Sequence, residues 1–209
     1  MYVPKQFAIS ENTKLCALMR EFSFATVVSH DGTAPFASHL PILLSGENDG
    51  PLTLSGHMAR ANPQWRHFEN GAEVLVIFQG PHGYISPSWY ESKELVPTWN
   101  YVTVHAYGTP RLIEDADRLH RLVDKTVAEY EGGRAQPWRD ELPADFRDTL
   151  LKAIVGFEIP ITRMEGKLKL GQNRDEKDIR GAIAGLRESG GPGDRELAEW
   201  MEKEILSNR

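Results

Sequence analysis

The sequence predicts a β-rich α+β fold, a sandwich or barrel with peripheral helices, on two observations. Segments 22–30, 35–44, 51–56, 73–79 and 98–108 are rich in β-branched and aromatic residues, and Asp31-Gly32, Asp49-Gly50 and Gly80-Pro81 punctuate them as turns. Patterns of helical period gather from Asp115 onward, where four follow one another.

Taken in order, Ser10 reads as the N-cap of a short helix with Leu15, Leu18 and Met19 on one face. A helical crossover is expected over 60–68, starting at Asn62-Pro63 because proline fits the first helical turn, and ending at Gly71. In segment 98–108, Trp99, Tyr101, Thr103, His105 and Tyr107 share one strand face, and Asn100, Val102, Val104 and Ala106 share the other. Both faces are partly apolar, so cover on both sides is expected. From Asp115, Leu119, Leu122, Val123 and Tyr130 keep helical spacing until Gly132-Gly133. Pro143 opens a helix carrying Phe146, Leu150 and Leu151. Val155, Phe157, Ile159 and Ile161 then alternate as a strand, in which Pro160, lacking an N–H, marks an edge or bulge. Two helices close the chain, one with Ile179, Ala182, Ile183 and Leu186 on a face and one with Leu197, Trp200, Met201 and Ile205, separated by Gly190-Gly191-Pro192-Gly193.

Composition narrows the function classes. With 40% hydrophobic and 26% charged residues over 209 positions, the chain is neither disordered, collagen-like nor a disulfide framework, and it suits one domain with or without a small appendage. Met1 to Phe7 holds no basic stretch followed by an apolar run, and no 18 apolar residues run together, which predicts a cytoplasmic protein without a membrane span. Cys16 is alone and reads as a buried small hydrophobe. A net charge of −6 repels polyanions, so direct nucleic-acid binding would need a local basic patch. The seven histidines lack metal-site spacing, so no metal is expected. There is no Gly-x-Gly-x-x-Gly, Walker loop or nucleophile elbow.

Three stretches carry candidate chemistry. In Ser55-Gly56-His57-Met58-Ala59-Arg60-Ala61-Asn62-Pro63, a strand ending at Ser55-Gly56 is expected to meet a helix start, where free N–H groups and the Arg60 fork would suit a phosphate. The same residues also suit an ordinary helix cap with His57 as a satisfied turn histidine. The aromatic run 84–90, followed by 96–101, offers planar walls for a flat cofactor, or else a core or subunit interface. Residues 167–174, between the last strand and the next helix, supply lysine, arginine and amide groups that can pair with phosphate or a ring carbonyl, or form a plain solvated loop.

Taken together, Met1-Tyr2-Val3-Pro4 with Phe7, His39-Leu40-Pro41, Gly56 through Trp65, Phe78-Gln79-Gly80-Pro81-His82, Tyr84 through Tyr90, Pro97 through Tyr101 and Gln172-Asn173-Arg174 resemble the PaiB family of FMN-binding split β-barrel proteins, related to pyridoxamine-phosphate oxidases and flavin reductases. The resemblance implies an FMN-binding split barrel over 1–174 with a C-terminal helical extension over 175–209. It also implies a homodimer with FMN between subunits. By the same resemblance Ser55 and Arg60 approach the phosphate, with His57 and Asn62 in the same motif. Ser38, His39 and Leu40 lie along the flavin edge, Trp99, Asn100 and Tyr101 border the site, and Lys169, Gln172 and Arg174 are further contacts. Gly171 stands where the family pattern has serine, which removes a hydroxyl. The functions implied are an FMN-binding protein with oxidoreductase potential, a flavin- or redox-sensing negative regulator of transcription acting through protein or DNA, or, in a related barrel, haem binding. No catalytic acid or base is assigned.

Overall fold

A computed structural model describes residues 1–46, 50–138 and 140–207. The expected Asp49-Gly50 turn includes Asp49, which lies outside the described residues. The chain divides into two compact units. The first comprises Met1–Leu18, Gln79–His105 and Glu165–Arg209, and the second Met19–Phe78 and Ala106–Met164.

In the second unit, strands β2 (Phe24–His30) and β3 (Pro35–Pro41) form an antiparallel hairpin in which Thr26 faces His39 and Val27 faces Ser38. Asp31 closes its turn. One carboxylate oxygen accepts the Thr33 and Ala34 N–H groups at 2.7 Å, and these hydrogen bonds, with that from the Thr33 hydroxyl, hold the Asp31 carboxyl well below the usual carboxylate range. The single strand expected over 35–44 is broken at Ile42, whose N–H donates to Ser23 O at 2.8 Å while its side chain is buried; β4 (Leu43–Ser45) resumes beyond it. β5 (Thr53–Ala59) runs three residues past the expected end at Gly56, because His57, Met58 and Ala59 find partners in Gly156, Val155 and Ile154 of the strand formed later by Ile154–Lys169. The helix after it is a 3₁₀ segment, Pro63–Asn70, ended by Gly71 as expected.

β6 (Val74–Ile85) passes through Gly80-Pro81, where a turn was expected. Burial alternates at 74, 76, 78 and 80 and then at 81, 83 and 85, so the strand changes phase by one residue at that dipeptide, as a bulge does. β7 (Thr98–Gly108) has the expected bounds, but its cover is uneven: Asn100, Val102, Val104 and Ala106 are buried, whereas Trp99 on the other face is 54% exposed. β8 (Arg111–Ile113), a strand the pattern did not announce, pairs with β9 (Ile154–Lys169). β9 is longer than the expected 155–161 and absorbs Lys167 and Lys169, so that basic pair belongs to a strand rather than a loop. Ile161 N–H donates to Leu52 O at 2.9 Å, and Pro160 is matched to Thr53. Pro160 therefore lies within a paired strand, not on an edge, with its missing N–H beyond the end of β8. Strands hydrogen-bond in the order β3-β2-β6-β7-β9-β5-β4, with β8 and the short β1 (Ala8–Ile9) also on β9.

Helix α1 (Asn12–Glu21) buries Leu15, Cys16, Leu18 and Met19; it starts two residues after Ser10, and Glu11 O accepts the Leu15 N–H. In the second unit, Asp115 caps α2 (Ala116–Glu131) by accepting the Arg118 N–H at 2.7 Å, and Leu119 and Leu122 pack with Ile113. α3 (Ala144–Lys152) is a helix as expected, but Phe146 and Leu150 remain about half exposed. In the first unit, α4 (Glu176–Ser189) and α5 (Asp194–Met201) bury the faces that the pattern assigned, except that Ile205, expected on the second, is buried past its end in a π-helical turn, Glu202–Leu206. Gly181 and Gly185 leave a notch on α4 that Trp89 fills, and the buried Asp178 accepts the Glu91 and Ser92 N–H groups at 2.9 and 3.0 Å. Among the described residues no helix is long and apolar enough to cross a membrane.

Candidate functional site

β5 builds the first part. Leu54, Gly56 and Met58 alternate into the core, so Thr53, Ser55, His57 and Ala59 share the opposite face. Ser55 lines a cavity of about 350 Å³ together with Arg118, Arg121 and Lys125 of α2. His57 lines another of about 750 Å³, whose walls include Val123, Val127, Leu150 and Ile154. Its Nδ1 is buried without a hydrogen-bond partner, and burial pushes the imidazole below its ordinary pKa, so His57 is neutral at pH 7.

Beyond β5, the Asn62 N–H donates to Ala59 O at 2.9 Å and closes a tight turn with Arg60 at its corner. The Arg60 Nε donates to Lys152 O and its Nη2 to Ile154 O, both at 2.9 Å. Nη1 has no partner among the described residues, and the side chain is exposed. Arg60 lines a third cavity, of about 560 Å³, with Trp65 and Glu69. Asn62 caps the 3₁₀ segment: its Oδ1 accepts the Gln64 N–H at 3.0 Å, and its Nδ2 donates to Ser38 Oγ at 2.8 Å. Ser55, His57 and Arg60 thus face three different cavities, while Ser38 and Asn62 are joined.

Alternation also divides the Ser38-His39-Leu40 triplet. His39 is exposed, accepts or donates a hydrogen bond with Thr26 Oγ1 at 3.0 Å, and stacks on Phe24 with ring centroids 6.5 Å apart. Phe24 is 69% exposed, a flat apolar plate on the β2–β3 ribbon. Ser38 and Leu40 occupy the other face, opposite Val27 and Ala25.

The first unit holds the remaining candidates. Lys169 Nζ donates to Trp99 O at 2.7 Å and to Thr98 Oγ1. Burial, then Lys167 and Arg174, push its ammonium below the ordinary lysine range. Trp99 meets Tyr84 edge-on at 6.0 Å. Lys167 sits 5.0 Å from the Tyr101 ring, and Arg174 lies 5.8 Å from that of Tyr90. Asn100 is buried, with its amide 3.5 Å from Met201 Sδ. Among the described residues Gln172 bonds only locally, accepting the Leu170 N–H and donating to Leu168 O. Gly171 has φ +86°, in the left-handed region where a side chain is strained.

Two residues escaped the pattern. Gln64 is fully buried and its Nε2 donates to Val27 O at 2.8 Å and Ser29 Oγ at 3.1 Å, while its Oε1 has no partner. Phe24 looked like an ordinary strand residue. Only its exposure reveals it, and no sequence signal carried that.

Peripheral helices on this antiparallel strand order define a split barrel. Solved structures share the fold. The flavocytochrome Anf3 of Azotobacter vinelandii matches with a TM-score of 0.63 over 86% of this chain and 78% of its own, at 16% identity. The FAD and heme binding protein of Mycobacterium smegmatis matches with 0.62 over 88% and 80%, at 19% identity. Residues 1–163 match the family model described as "Putative FMN-binding domain". Over 207 residues, 98% of each chain, the sequence is 41% identical to the protease synthase and sporulation protein PAI 2 of Bacillus subtilis, and over 194 residues it is 32% identical to an uncharacterized protein of Emericella nidulans, covering 74% of this chain and 76% of that one. The chain belongs to this FMN-binding family, the PaiB family, and it is an FMN-binding protein.

The donor set fits such a cofactor. Arg60 has a free guanidinium nitrogen, and the Ser38 hydroxyl, which accepts from Asn62, keeps its own proton to donate. The exposed Phe24 and Trp99 rings are planar surfaces of the kind a flavin requires.

Proposed function

We propose that the protein is an FMN-dependent oxidoreductase that works as a cytoplasmic homodimer, with FMN between subunits. The observation that carries this reading is the Ala59–Asn62 turn, which carries Arg60, with one guanidinium nitrogen unpartnered among the described residues, and Asn62, bonded to Ser38. In it Arg60 takes the phosphate, Ser38, Asn62 and His39 orient the cofactor, and Phe24 excludes water from one side. Lys169, Trp99 and Tyr101 supply the border, with His57, Ser55, Leu40, Asn100, Gln172 and Arg174 as further members. FMN, when bound, would supply the electron transfer. The division into a flavin-binding part over 1–174 and a helical extension over 175–209 belongs to the same reading, supported by the family match ending at residue 163.

Flavin absorption in the purified protein, and FMN fluorescence quenching on titration, measure the binding; a Soret band in its place would point to haem. Arg60→Gln removes a charged hydrogen bond worth about 1.5–3 kcal/mol, so FMN affinity falls roughly 10- to 100-fold. Because Arg60 also ties down Lys152 O and Ile154 O, the melting temperature is followed in parallel. Unchanged affinity in a folded variant removes Arg60 from the site. Reduction of bound FMN by a nicotinamide donor, followed by reoxidation with turnover, tests the oxidoreductase step. A regulatory role is favoured by the name of the Bacillus subtilis relative, which concerns protease synthesis and sporulation. At a net charge of −6 it would act through a protein partner, and it predicts flavin binding without turnover.

A further inference from the structure

The cavity beside Ser55 has a character of its own. Arg118, Arg121 and Lys125 stand at i, i+3 and i+7 on α2, on the same side as Leu122, which is buried against Ile113. They therefore border the packed face of the helix, not its solvated back. Opposite them the alternation of β5 directs Thr53 and Ser55 to the same cavity, and Ser45, matched to Thr53 in the hairpin register, adds a third hydroxyl.

The charge does not cancel. Glu158 is the acidic residue in this lining, and it is taken by Arg118 at 2.8 Å. Arg121 reaches Asp115 only at 4.0 Å, and Lys125 has no ion-pair partner among the described residues. Two positive charges are left over three hydroxyls, two of them on β5. Hydroxyls, an arginine fork and a lysine together match the acceptors of a tetrahedral oxyanion, whereas a cation would meet like charge and an apolar molecule would leave both sets unpaired.

We propose that this cavity is a second anion site, which binds a phosphate or phosphomonoester group and is separate from the Arg60 turn. Its volume of about 350 Å³ exceeds what a single phosphate needs and leaves room for a small organic substituent. The site goes beyond the flavin reading and stands whether or not FMN turns over.

Thermal melts of the full chain in inorganic phosphate, against sodium chloride at equal ionic strength, test it, with isothermal titration as the affinity readout. Glycerol 3-phosphate in a parallel arm separates a phosphomonoester from free phosphate. Phosphate raises the melting temperature above the chloride control. Lys125→Gln and Arg121→Gln each weaken binding about 2- to 5-fold, the range for exposed charges, and the double variant abolishes the shift. Both positions are exposed, so these variants fold, and Thr53→Val, on the strand side and outside the residues assigned to the flavin, provides an independent loss. Equal stabilisation by chloride, or an undiminished phosphate shift in the double variant, overturns the proposal. An FMN affinity that falls in step with phosphate affinity overturns it as a separate site, whereas loss of FMN binding in Arg60→Gln with phosphate binding intact supports it and leaves the two readings distinguishable.

Discussion

The α4 packing of the first unit and the β5 neighbourhood of the second handle polar groups in opposite ways. In the first, the buried Asp178 carboxylate accepts two backbone N–H groups, and the α4 notch is filled by Trp89. In the second, His57 Nδ1 and Gln64 Oε1 are buried without partners, Arg60 keeps a free nitrogen, and β5 opens onto cavities. An unpaired buried polar group costs about 1–3 kcal/mol, so the β5 neighbourhood, which keeps two of them beside open cavities, differs from the α4 packing, where the buried carboxylate is satisfied. The contrast places tolerance to mutation around His57 and intolerance around α4.

The largest effect expected is Gly185→Val. A Cβ at that position would overlap the Trp89 ring, and a branched side chain leaves no rotamer that avoids it. Overpacking and expulsion of Trp89 cost about 3 kcal/mol, read as a lower urea midpoint. A variant that melts like the wild type would show that the notch does not hold Trp89, and the contrast between units would weaken. Asp178→Ala follows at about 2–3 kcal/mol, since two N–H groups lose a charged acceptor. These hydrogen bonds lower the Asp178 pKa below 3.8. A carboxyl with a depressed folded pKa contributes stability that is present above its unfolded pKa and lost as pH falls through the folded one. The wild type therefore loses this increment below about pH 4, and Asp178→Asn, which cannot titrate, lacks that loss, so the stability difference between the two shrinks there. Asp31 and Asp140 titrate in the same direction, so only the difference between the two proteins reports on Asp178.

The sequence was most legible where one periodicity ran uninterrupted. β7 has its expected bounds, and α4 and α5 bury the residues that a 3.6 repeat selects, because each packs one face throughout. It failed where tertiary pairing overrode local punctuation. Gly80-Pro81 read as a turn and Pro160 as an edge or bulge, yet β6 runs through the first and the register with β5 includes the second. The same override moved the strand end from Gly56 to Ala59, which carried His57 into a sheet face and Arg60 into a tight turn. The candidate site was legible as a set of residue types but not as an arrangement. Nothing in the spacing of Ser55, His57 and Arg60 reveals that they meet different cavities. The basic line on α2 had a readable i, i+3, i+7 spacing, but a charge run on a helix is ordinarily a solvated face, and only the burial of Leu122 distinguishes it.

His57→Leu gives the smallest effect and the sharpest test of the second unit. The imidazole is neutral because burial lowers its pKa, so the unfolded chain binds more protons than the folded one as pH falls below 6.5. Stability falls with it, and the leucine variant, having nothing to protonate, loses less between pH 7 and pH 5. At pH 7.5 the substitution removes an unpartnered Nδ1 and adds apolar surface to an apolar wall, so the change stays within about 1 kcal/mol of zero. His105 shifts in the same direction and continues to titrate in both proteins, which is why the slope is read as a difference. A cost of several kcal/mol at pH 7.5 would mean that His57 makes a satisfied structural contact, and the second unit would then resemble the first. A near-zero cost with a flattened acid slope identifies a polar group kept in an apolar wall at no gain to the fold, as a residue retained for a ligand would be.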